Sequence, residues 1–183
     1  MERSITKKDI WDSAAKSGLA LGAVSIAYLA ISQFMASMNS STGIAVVMSL
    51  LSILLWAVKF AGCIFLMKLF MLKFAASHEG VTNADTFKFG MATAFLSALL
   101  YSGFYLAYVT LIAPDTFTDA LAAVSDSYGS MMGSDALETL ENMNLGNISF
   151  FYNLIYCFLF GTVLSAILSK NIPSRNPFND NTI

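Results

Sequence analysis

Charge is what this sequence has least of. Charged residues make up 12% of its 183 positions and hydrophobic residues 56%, whereas a soluble domain carries about 25% charged and roughly 45–50% apolar residues. That deficit, with a mean hydropathy of +0.65, leaves too little polar surface for a soluble globule. Histidine is nearly absent. The single His78 falls in the turn SHEGVTNAD, where it reads as a solvated loop residue, and no His/Cys/carboxylate cluster has metal-ligand spacing. The two cysteines, Cys63 and Cys157, sit in apolar runs without a spacing motif and read as small hydrophobes rather than a disulfide or metal pair. There is no G-x-x-x-x-G-K-[ST] phosphate loop and no G-x-S-x-G elbow. No acid lies in any long apolar run, which removes the usual intramembrane carrier of protons or sodium. These absences disfavour an enzyme and imply no cofactor, although chemistry by interfacial residues stays open.

What is present is four apolar runs, each long enough for the ~20 residues that cross a bilayer core. They cover Gly18–Met38, Gly43–Phe74, Phe89–Ile112 and Ile148–Leu168. None contains proline; Pro114 closes the third and Pro173 follows the fourth, where a helix breaker belongs. The first run is too long for a signal-peptide core, its leader carries Glu2, Asp9 and Asp12, and no A-x-A site follows, so it is expected to be a retained span. The fold class predicted is all-α: one domain over residues 1–183, an integral membrane bundle of four transmembrane helices.

Basic residues orient the bundle. Arg3, Lys7, Lys8 and Lys16 precede the first span, Lys68, Lys73 and Lys88 flank the junction of the second and third, and Lys170 and Arg175 follow the fourth. The connection 36–42 is uncharged, and the connection 114–147 holds six acids and no base. The positive-inside rule therefore puts both termini in the cytoplasm and the 114–147 connection on the outer side of the membrane. Within that connection, DTFTDALAAVSDSY and SDALETLENMNL carry apolar residues at helical spacing, broken at Gly129–Gly133. Two short amphipathic helices, or extensions of the third and fourth spans, are expected, as a cap on the bundle mouth or, alternatively, a docking surface or acidic vestibule.

One base breaks the pattern. Lys59, in WAVKFAGC, lies roughly 7 Å to the cytoplasmic side of the midplane at 1.5 Å per residue. A lysine that deep costs on the order of 3 kcal/mol, and each apolar neighbour returns only about 0.5 kcal/mol. Three readings compete: it snorkels to the headgroups, it is neutral among hydroxyls and carbonyls, or it pairs with an anion supplied from outside the chain. At equivalent depth the other spans offer Gly22, Ser25, Ser97, Gly161 and Ser165, and on its own helix Ser52, Trp56, Lys59 and Cys63 share a face. Small residues at four-residue spacing, including Gly18 and Gly22, are the usual device for close packing in lipid. They also leave room for a polar pocket around Lys59. Tyr101 and Asn153 are buried polar groups that serve each other or line a path to Lys59.

The segments WAVKFAGCIFLMKLFMLKF, FKFGMATAFLSALLYSGFY and FLFGTVLSAILSKNIPSRNPF, with Lys59, Gly90 and the Asn176–Phe178 tail as their most specific positions, resemble a family of four-span membrane proteins common in Bacteroidota, domain of unknown function 4199. The resemblance covers nearly the whole chain and implies an inner-membrane location. It brings no assigned activity, only an association with polyprenol-phosphate glycosyltransferases as possible protein partners. The function expected is a non-catalytic accessory subunit that binds a partner membrane protein or an anionic lipid headgroup. Its site would comprise Lys59, Trp56, Ser97, Tyr101 and Asn153, with Lys68, Lys73 and Lys88 as a cytoplasmic basic interface to membrane lipids. The alternative is a small oligomeric transporter or channel with Lys59 as its anion site. Nucleic acid is not expected as a partner.

Overall fold

The computed structural model describes residues 6–37, 42–78, 80–128 and 143–172. Among them there is no strand. Helix α1 spans Lys7–Ser37, α2 Thr42–Ser77, α3 Asn83–Ala107, α4 Thr116–Tyr128 and α5 Leu145–Lys170. Four of them, α1, α2, α3 with its continuation to Ile112, and α5, are long and apolar enough to cross a membrane, over 29, 32, 30 and 26 residues. Even the shortest is about 39 Å long at 1.5 Å per residue, against a hydrocarbon core of about 30 Å. The chain is a multi-pass membrane protein.

Local chemistry sets the helix ends. Gly80 has φ +75° in the α2–α3 turn, a conformation that glycine adopts without a Cβ penalty. Thr82 then caps α3: its hydroxyl accepts from the Asp85 backbone N–H at 3.2 Å, and the Asp85 carboxylate accepts from the Thr82 backbone N–H at 3.3 Å. At its other end α3 runs into a π-helical turn, Tyr108–Ile112, closed by the Ala113 N–H donating to the Tyr108 carbonyl. Pro114 follows, and Ala113 before it leaves the helical region at φ −132°, ψ 65°. The first of the two amphipathic stretches in the connection is helix α4; the second, Ser134–Leu145, begins outside the described residues, as do Pro173 and the Asn176–Phe178 tail.

Helix α3 is the centre of the bundle, packed along its length between α1 and α5. Small residues make these approaches possible. A Cβ on Gly18 would lie 2.9 Å from Leu96 Cβ and one on Gly22 2.7 Å from Leu100 Cδ2, so the Gly18–Gly22 pair is the α1–α3 contact. Across the other face a Cβ on Gly90 would meet Ser165 Oγ at 2.6 Å, and Gly161 packs directly on Ala94. Ser165 escapes the cost of burial by donating to the Gly161 carbonyl at 2.6 Å. Packing is the role that Gly18, Gly22 and Ser165 perform.

Helix α2 is different. Its last turns are locked into the core through Met67, Met71, Phe74 and Ala75, with Phe74 stacked on Phe89 at 4.3 Å. Its first half stands clear, with Val46, Leu50, Ile53 and Leu54 all exposed. The start of α1, the end of α2, the start of α3 and the end of α5 meet in one cluster that includes Ile10, Ala14, Met71, Phe89 and Leu168. The lysines of these four segments therefore gather at one end of the bundle. Residues 7–17 are helix, continuous with the first apolar run, because Ile10 and Ala14 bury themselves in that cluster.

Candidate functional site

Where α2 diverges from α3 and α5, a cavity of about 150 Å³ opens at mid-depth. All four spanning helices wall it. Ser25 comes from α1; Trp56, Lys59, Phe60 and Cys63 from α2; Ser97, Ala98 and Tyr101 from α3; Tyr156, Cys157, Phe160 and Gly161 from α5. It exists for a geometric reason. The small side chains that let α3 and α5 touch leave unfilled space on the side where α2 has turned away.

Lys59 reaches into this space. Its Nζ lies 4.6 Å from the centroid of the Tyr28 ring and 5.2 Å from that of Tyr101, within the range of a cation–π contact with each. A desolvated contact of this kind contributes about 2 kcal/mol, so two together offset the ~3 kcal/mol cost of placing a lysine so deep. The snorkelling arrangement is not adopted, and helix geometry gives the reason. A Cα–Cβ bond tilts toward its helix N-terminus, which in α2 points away from the basic end and toward the Tyr28 and Tyr101 rings. The rings compensate charge but accept no conventional hydrogen bond. Among the described residues no acceptor bonds the Lys59 ammonium and no carboxylate lines the cavity.

The two thiols complete the inner wall. Cys63 from α2 and Cys157 from α5 line it together with Ser25 and Lys59. An aromatic series marks the mouth between α2 and α5: Trp56 stacks on Phe60 at 5.5 Å, and Phe60 meets Phe160 at 5.1 Å. Trp56 is 57% and Tyr156 60% exposed, so the mouth faces sideways, toward the bilayer.

Of the five residues expected around the site, the structure gathers Lys59, Trp56, Ser97 and Tyr101. Asn153 lies apart. Its side-chain amide donates to the Ser149 carbonyl one turn earlier on its own helix at 2.9 Å, so it is neither a partner for Tyr101 nor part of the wall. Tyr28 was the residue that sequence reasoning missed. Its signal was an aromatic residue in the middle of the first run, on the same side as Ser25 (three residues away). Cys63 and Cys157, expected as plain hydrophobes, face the lysine.

The family model for the proteins of unknown function DUF4199 matches residues 16–170, which spans all four long helices and every wall of the cavity. The chain belongs to the DUF4199 family. No curated protein and no solved structure matches it. At the basic end Lys73 and Lys88 sit in separate shallow grooves, Lys88 with its ammonium 3.4 Å from Asp85, while Lys68 is exposed outside both.

Proposed function

We propose that this DUF4199 protein is a non-catalytic accessory subunit of the inner membrane, with its basic end and both termini in the cytoplasm, and that the Lys59 cleft takes up one anionic group delivered from within the bilayer. The observation that carries this is the state of the lysine. Tyr28 and Tyr101 hold the ammonium in place and offset its charge, yet its N–H donors have no acceptor in the described chain, in a cleft whose mouth opens sideways. A phosphate or carboxylate oxygen supplies what the site lacks, and a charge-assisted hydrogen bond to it is about twice as strong as a neutral one. Ser97 and Tyr101 line the same cavity and carry hydroxyls that would serve the remaining oxygens. Trp56 at the mouth offers an apolar face to the chain that carries the group.

Two carriers bring that chemistry: an anionic lipid, through its headgroup, and a partner protein, through an acid on a membrane helix. Gentle purification of the tagged protein from its own membrane, with mass spectrometry of co-eluting proteins and lipids, separates them. One enriched anionic lipid lost in Lys59→Met identifies the first, and a stoichiometric partner lost in Lys59→Met the second. Recovery of the wild-type protein alone and without enriched lipid would overturn the proposal. Solute flux through liposomes containing only this protein would replace it with a transporter.

A further inference from the structure

A second lysine-bearing groove lies at the basic end, separate from the Lys59 cleft. It has a volume of about 290 Å³, near the lower limit of ordinary ligand sites at roughly 300 Å³. Helix α1 lines one side with Ser13, Lys16 and Ser17, at the i, i+3, i+4 spacing of a single helical face. Helix α2 lines the other with Lys73 and Ser77, and the floor is the buried ring of Phe89 beside Phe74. No carboxylate lines this groove, and neither Lys16 nor Lys73 is ion-paired among the described residues. The neighbouring groove with Lys7 and Lys88 differs on this point, since Asp85 already lies 3.4 Å from Lys88.

We infer that the Ser13–Lys16–Ser17–Lys73–Ser77 groove is a discrete binding site for the phosphate of an anionic glycerophospholipid in the leaflet that meets the basic end. Lys16 and Lys73, neither ion-paired among the described residues, line opposite sides of a gap edged by the Ser13 and Ser17 hydroxyls, while the Ser77 hydroxyl is held by the Phe74 carbonyl at 3.1 Å; this suits a phosphate with several acceptor oxygens. The Phe89 floor suits the apolar part of the lipid just below its headgroup. The site stands at the depth where the lysine-bearing end of the bundle meets the interface, so a lipid reaches it without leaving its leaflet. This inference does not depend on the Lys59 reading, because the two share no lining residue.

The test is native mass spectrometry of the purified, delipidated full chain titrated with phosphatidylglycerol, against phosphatidylcholine as the neutral reference. Each neutralised lysine should weaken the tight site about fivefold and the pair about thirtyfold, from the attraction per basic residue near an anionic surface. Lys16→Gln, Lys73→Gln and the double variant are compared with Lys170→Gln, an exposed lysine outside the groove. A Lys59→Met background removes any lipid held in the other cleft. A selective loss in the groove variants, with Lys170→Gln unchanged, is the expected result. Equal weakening by Lys170→Gln would show diffuse attraction to the leaflet and overturn the site. Competition by inorganic phosphate in the same concentration range would show that the ligand is a free anion, and would overturn the lipid assignment.

Discussion

If the Tyr28 and Tyr101 rings stabilise Lys59 as a cation, each ring should matter only while the lysine is there. The perturbation is Tyr101→Leu, which removes the aromatic face and keeps an apolar side chain, tested in wild-type and Lys59→Met backgrounds. With Nζ 5.2 Å from the ring centroid and shielded from water, the lost contact is about 2 kcal/mol. Tyr101→Leu also alters packing, and that part is common to both backgrounds, so the double-mutant cycle isolates the lysine–ring term. Lys59→Met by itself should change stability by only about 1 kcal/mol. It loses two contacts of about 2 kcal/mol and is relieved of a burial cost near 3 kcal/mol. The assay is equilibrium unfolding of the purified, delipidated protein in mixed lipid–detergent micelles titrated with SDS and followed by far-ultraviolet circular dichroism. A coupling energy of about 2 kcal/mol, repeated with Tyr28→Leu and largely absent with Tyr101→Phe, is the expected outcome. A coupling below about 0.5 kcal/mol, the level at which independent sites add, would refute the reasoning and return Lys59 to an uncompensated burial.

Three further perturbations probe other parts of the fold. Gly90→Ala places a methyl group 2.6 Å from Ser165 Oγ and should destabilise the protein by about 1–3 kcal/mol, with most of the loss recovered in a Ser165→Gly background in the same SDS titration. Thr82→Ala deletes the hydroxyl that caps α3 and should cost about 1 kcal/mol, measured in the same way. The proposed orientation predicts that a thiol at Asn83→Cys is labelled by a membrane-impermeant maleimide only after the inner membrane is opened, whereas one at Thr118→Cys in α4 is labelled in intact spheroplasts. Both are made in a chain lacking Cys63 and Cys157; the reverse pattern would invert the bundle.

The four spans were legible because lipid selects on one property, apolar length, which a sequence displays residue by residue. The helix starts were less so. Residues 7–17 carry Lys7, Lys8, Asp9, Asp12 and Lys16 and look like a polar leader, yet Ile10 and Ala14 continue the buried stripe of α1 that passes through Gly18 and Leu21. That pattern was present and outweighed by the charge. Depth was legible too, since counting 1.5 Å per residue placed Ser25, Ser97 and Gly161 around Lys59. Side-chain direction was not. Asn153 is on the right helix, one turn before Cys157, but its amide turns back to its own backbone and donates to the Ser149 carbonyl. In lipid every long face is apolar, so hydrophobicity carries little information about which side of a helix looks inward. Only small residues and polar ones mark the inward side, and a polar residue that can bond its own helix loses even that mark. Tyr28 eluded the sequence for the converse reason. An aromatic residue in the middle of an apolar run reads as one more apolar side chain, and only the outward tilt of the Lys59 side chain brings the ammonium to its ring. The lysine therefore identifies the site, while the direction in which α2 runs identifies its partners.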